Sequence, residues 1–96
     1  MMKNFETTTK LFEESAELIK VIAHPVRLHV IKNLMEKGPS NVSTIHTTLN
    51  LPQSTVSQHL AKLKSMKVVS GERKGLEIYY SVASDKIQNV MKQLFA

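Results

Sequence analysis

Apolar residues recur at intervals of three and four over most of the chain and switch to intervals of two towards its end. From Thr8 to Ala23, Leu11, Phe12, Leu18, Ile19, Ile22 and Ala23 cover more than one stripe of a helix, and Glu13, Glu14 and Glu17 take the remaining side. Such a helix has two apolar neighbours. One is the domain's own core; the other is either a second copy of the chain or another part of the same one. Pro25 then breaks the run, because the residue before a proline is steered away from the helical region, which leaves His24 at a corner. A second helix is predicted over Pro25–Lys37, with Leu28, Ile31, Leu34 and Met35 facing inward and Gly38-Pro39 stopping it. After a short extended piece, Ser43 is expected to cap a third helix, Thr44–Leu49, whose buried pair is Ile45 and Leu49. Pro52 has φ already near the helical value and opens a fourth, in which Val56, Leu60 and Leu63 form a single stripe.

From Val68 the pattern alternates. Leu76, Ile78, Tyr80 and Val82 share one face of a strand, and Glu77, Tyr79 and Ser81 the other. Lys74-Gly75 supplies a reversal, so Val69–Arg73 should pair with Leu76–Val82 as a hairpin. The last segment, Asp85–Phe95, carries Ile87, Val90, Met91, Leu94 and Phe95 at the spacing of an amphipathic helix. With no later element to cover it, this helix either returns to its own core or pairs with its twin, and the first helix offers a matching surface for a two-fold contact. The expectation is a homodimer with Leu11, Phe12, Leu18, Ile22, Ile87, Val90, Met91 and Leu94 at the interface.

A chain of 96 residues with 42% hydrophobic content makes one small domain over 1–96, mainly α with a small β-hairpin, in which residues 1–7 form a flexible arm. No apolar run is long enough to span a bilayer and the polar N-terminus is not signal-like, so the expected location is cytoplasmic. The absence of cysteine removes disulfides and thiolate metal sites. Charge refines this picture through its distribution. Residues 25–82 carry 8 basic and 3 acidic side chains, whereas residues 1–24 carry 3 and 4, so the net +5 of the chain is concentrated in the middle.

That middle region contains the fourth helix. Opposite its apolar stripe lie Ser54, Gln58, Ala61, Lys62 and Ser65, a short, polar, partly basic side. Serine, threonine, glutamine and histidine carry donors and acceptors that can meet base edges in a major groove, while Lys62, Lys64 and Lys67 can neutralise phosphates. The third and fourth helices, joined through Asn50 and Leu51, make a helix-turn-helix in which the first member braces the second. The hairpin that follows has a basic tip, Arg73 and Lys74, able to lie on phosphates or in the neighbouring minor groove as a wing.

Three separated segments, His24-Pro25-Val26-Arg27-Leu28, the helix-turn-helix over 51–63 and the wing over 71–82, resemble the ArsR/SmtB family of bacterial winged-helix repressors across about residues 15–96. The resemblance implies a winged helix-turn-helix fold, α1-α2-α3-α4-β-β-α5, and a homodimer built on the first and last helices. It also implies binding to an imperfect palindrome in a promoter. By position, Gln53, Ser54, Thr55, Ser57, Gln58 and His59 would contact DNA from the helix, with Arg73 and Lys74 from the wing. Many members sense metals through a Cys-x-Cys at the start of the third helix, where this chain has Asn41 and Ser43. Others use Asp, His, His and Glu on the last helix, but Ile87 follows Asp85 and no histidine occurs after His59. The expectation is therefore no metal and no cofactor.

Catalysis has no support in the sequence. Ser57 and His59 lie about 200° apart around one helix and cannot form a nucleophile–base pair, and there is no phosphate-cradling glycine loop or paired-carboxylate arrangement. The expected function is a dimeric, sequence-specific transcriptional repressor whose recognition helices enter successive major grooves about 34 Å apart. The alternative is a winged-helix interaction module, an antagonist that heterodimerises with a DNA-binding relative. Such a module would carry large apolar or acidic residues on the outer side of residues 54–62.

Overall fold

The structure, a computed structural model, describes residues 5–96. In chain order the elements are α1 (Phe5–Ile22), α2 (Pro25–Lys37), β1 (Ser40–Asn41), α3 (Val42–Leu49), α4 (Gln53–Ser65), β2 (Val69–Lys74), β3 (Glu77–Val82) and α5 (Asp85–Leu94). The arm expected over residues 1–7 falls outside the described residues at positions 1–4, and α1 already runs from Phe5.

Each helix boundary has a local cause. His24 is extended, with φ −153° and ψ 129°, as a residue before proline must be, and its Nδ1 accepts the Val26 N–H at 3.1 Å, capping α2. At the other end Gly38 takes φ +81° and donates its N–H to the Leu34 carbonyl. The cap of α3 is Asn41, not Ser43: its side-chain oxygen accepts the Thr44 N–H at 2.8 Å. Helix α3 starts at Val42, so Ser43 already lies inside its first turn. Asn50, in the left-handed conformation at φ 56°, makes the turn of the helix-turn-helix, and Pro52 is the last extended residue before α4. Lys67 ends α4 with φ 60°; its N–H bonds to the Lys64 carbonyl and that of Val68 to the Leu63 carbonyl, the paired arrangement of a left-handed helix terminus.

The sheet has three antiparallel strands in the order β1-β3-β2. Its first strand is the short extended piece after α2, where Ser40 pairs with Tyr80 and Asn41 with Tyr79; two residues are too few to show a period. The hairpin turns one residue later than expected. Lys74 pairs with Glu77, so Gly75 and Leu76 form the reversal, with Gly75 at φ +66°. Leu76 is consequently at the tip, 93% exposed, instead of sharing the inner face with Ile78, Tyr80 and Val82.

Every helix contributes to one core. Val21 and Ile22, Val30, Ile31 and Leu34, Ile45, then Val56, Leu60 and Leu63 are buried together with Val68, Val69, Ile87 and Met91. Leu28 and Met35, expected inside, pack at the margin of this cluster. Burial on the inner side of α4 fixes which of its residues remain outside.

Candidate nucleic-acid interface

The inner stripe of α4 is fully buried, so Gln53, Ser54, Ser57, Gln58, Ala61, Lys62, Lys64 and Ser65 stand exposed on its remaining surface. Thr55 and His59 are half-buried on one flank. The first turn of α4 contains no acidic residue and the last turn contains Lys62 and Lys64, so the whole outer side is neutral to basic. Glutamine and serine there present both donors and acceptors, as base edges require.

Strand pairing carries the wing to the start of α4. Asn41, at the head of α3, donates from its amide to the Glu77 carboxylate in the wing. A cleft of about 250 Å³ opens beside this contact, and Gln53 and Arg73 both line it, with Ser43, Leu76 and Tyr80 also in its walls. Arg73 is exposed, and Lys74 lies 3.7 Å from Glu72 and 5.7 Å from the centre of the Tyr79 ring. At 63% side-chain exposure Lys74 keeps its charge accessible to a phosphate, and the Glu72 contact is worth little at such a surface.

His59 occupies a different setting from the other expected contacts. Its Nδ1 accepts the Nε–H of Arg27 at 3.1 Å and its ring centre lies 4.6 Å from that of His24. Burial, then the neighbouring His24 and Arg27, holds its pKa below the ordinary histidine value. Neither Arg27 nor His24 stands out in the sequence as part of this site, since Arg27 and His59 are 32 residues apart. The sequence marks both residues within the family-like run His24–Leu28, and its proline places both side chains at the head of α2, but neither signal points to His59.

Among residues 24–70 the chain matches the bacterial regulatory proteins of the arsR family. It is 48% identical to the transcriptional repressor PagR of Bacillus anthracis over 82 residues, which cover 85% of this chain and 82% of PagR. The chain belongs to the ArsR family. The crystal structure of PagR superposes with a TM-score of 0.83 at 45% identity, covering 90% of this chain and 98% of that one. NolR from Sinorhizobium fredii gives 0.84 at 31% identity, covering 98% and 93%. A homodimeric winged helix-turn-helix DNA-binding domain from Mycobacterium bovis gives 0.83 at 26% identity, covering 98% and 86%.

Like these ArsR-type proteins, the chain is a winged helix-turn-helix, and its family is one of transcriptional regulators and not of enzymes. Among the described residues no helix is long and apolar enough to cross a membrane. No group of three His, Cys, Asp or Glu comes together there in a way that could hold a metal ion. The residues expected at a dimer interface fall into three groups. Ile22, Ile87 and Met91 are at most 4% exposed and belong to the chain's own core, because they face inward where α1 and α5 cross it. Leu18 packs at the core margin, whereas Leu11, Phe12, Val90 and Leu94, together with Ile19 and Phe95, are exposed.

Proposed function

We propose that this ArsR-family chain is a homodimeric repressor that occupies a palindromic promoter site without responding to metal. The observation that carries the reading is the uncovered polar side of α4, bounded by the wing cations at one end and braced by a buried apolar stripe beneath. In this reading Gln53, Ser54, Thr55, Ser57 and Gln58 lie against base edges, Lys62, Arg73 and Lys74 against phosphates, and His59 at the margin. Leu11, Phe12, Val90 and Leu94, with Leu18 behind them, form the two-fold contact, which the homodimeric Mycobacterium bovis relative supports. Two copies then present two recognition helices about 34 Å apart.

The chemistry of the positions used by metal-sensing relatives supports the metal-free part. Asn41 has its side chain engaged with the Thr44 N–H and with Glu77, and neither it nor Ser43 is a thiolate. An interaction-module reading is not favoured, because the outer side of α4 carries no large apolar or acidic residue. Footprinting and gel shifts at moderate salt, with the chain's own upstream region among the fragments, test the proposal. Protection of a two-fold symmetric site is expected. Equal affinity for promoter fragments and random duplex would refute it.

A further inference from the structure

The ends of α1 and α2 meet beside α4 in an arrangement that neither core packing nor base contact accounts for. Arg27, in the first turn of α2, donates from Nε to His59 Nδ1 on α4 at 3.1 Å and from Nη1 to the Val21 carbonyl near the end of α1 at 2.9 Å. One guanidinium thus ties the last turn of α1 to the middle of α4 through two N–H groups held in a fixed planar fork, a geometry that the point-like ammonium of a lysine does not reproduce. His24 closes the other side, its ring tilted 55° against that of His59, with its own Nδ1 held by the Val26 N–H. Arg27 has only hydrogens to offer, so Nδ1 of His59 must present its lone pair and the neutral ring carries its proton on Nε2.

We propose that Arg27 and His24 are positioning residues for DNA recognition, which lock neutral His59, and with it the pose of α4 against α1, until protonation of His59 opens the lock. This rests on the reading of α4 as the DNA-facing helix. A protonated ring cannot accept from Arg27 and sets a second cation against the guanidinium. The surroundings offer little relief. Arg27 and His24 face His59 from the head of α2, and Glu17 and Lys20 of α1 line a cleft of about 290 Å³ with Arg27 and Lys62, so a single carboxylate stands among several basic groups. Burial and the two neighbours already resist the proton, which keeps the lock closed at neutral pH.

An extra positive charge near DNA strengthens binding to any duplex, so random DNA is the control. The measured quantity is the ratio of affinity for the protected promoter fragment to affinity for random duplex, at fixed salt, from about pH 7.5 down to the pH at which the NMR shifts of the His59 ring show that it has taken up its proton. For the full chain this ratio should fall roughly five- to tenfold on acidification. His59→Gln offers Arg27 an amide oxygen that does not titrate and should hold the ratio constant. Arg27→Lys keeps the charge and should lower the ratio already at neutral pH, with little further change in acid. A constant ratio in the unsubstituted chain, or a neutral-pH ratio unchanged in Arg27→Lys, overturns the proposal. Should no fragment be preferred at either pH, the functional reading fails and the lock is decided without DNA. Backbone amide NMR signals of Gln58–Lys62 and Val21–Ala23 should then titrate with one midpoint, and Arg27→Lys should separate them. Independent midpoints in the unsubstituted chain refute it.

Discussion

His59 shows how one side chain acquires a pH dependence from its neighbours. The folded protein resists protonating it, chiefly through burial and then through His24 and Arg27, while the unfolded chain takes up the proton near the ordinary value of 6.5. The unfolded state therefore binds more protons as the pH falls below that value. Stability is full above it, declines as the pH drops towards the depressed native value, and levels off below. Urea unfolding from neutral to mildly acidic pH should show this decline in the unsubstituted chain and a smaller one in His59→Gln. Glu36 acts in a separate window. Its hydrogen bond to Lys32 and the charge of that lysine hold its carboxyl below the usual range, so its contribution is lost only at lower pH.

At the scale of the element, α4 and the wing each depend on one position where the choice of residue is narrow. Lys67 adopts φ 60° to end α4, a conformation that costs a side-chain-bearing residue about 1 kcal/mol or more. Glycine has no such cost but loses more freedom on folding, so Lys67→Gly should change stability by under about 1 kcal/mol, in the stabilising direction, seen as a raised unfolding midpoint. Gly71 is constrained by contact instead. A methyl group there would lie 2.8 Å from Ile78 Cγ2 and 3.2 Å from the Tyr80 ring, across the strand pair that shapes the wing. Gly71→Ala should destabilise by about 1–3 kcal/mol and displace the Ile78 and Tyr80 NMR signals, because Cγ2 moves away only by rotation about χ1, which a β-branched side chain resists.

The whole molecule leaves apolar side chains uncovered on its first and last helices, with Phe12 67% and Leu94 59% exposed. If these form the two-fold contact, Phe12→Glu combined with Leu94→Glu should convert a dimer to a monomer in sedimentation while the far-UV circular dichroism is retained. Neither side chain belongs to the buried cluster, so folding of the single chain does not depend on them. A dimer that survives both changes would place the interface elsewhere. If the wing lies on phosphates as proposed, Arg73 and Lys74 act through charge and not through base identity. Their joint replacement by alanine should weaken binding to every duplex and reduce the salt slope by up to roughly 2 units per wing.

The sequence by itself determined the order and type of nearly every long element. A continuous apolar period, a proline at each of two helix starts and a glycine at the hairpin are local causes that act within a few residues. It also determined the polar side of α4, since burying Val56, Leu60 and Leu63 forces Ser54, Gln58 and Lys62 outward wherever that helix packs. Only the tertiary structure decided which apolar residues of α1 and α5 belong to the core, because periodicity marks a face as apolar without naming its neighbour. The same limit hid β1, whose two residues become a strand only when β3 arrives beside them, and the bond from Arg27 to His59. Contacts between residues far apart in the chain depend on how helices cross, and crossing is settled by the fit of whole surfaces rather than by any local pattern.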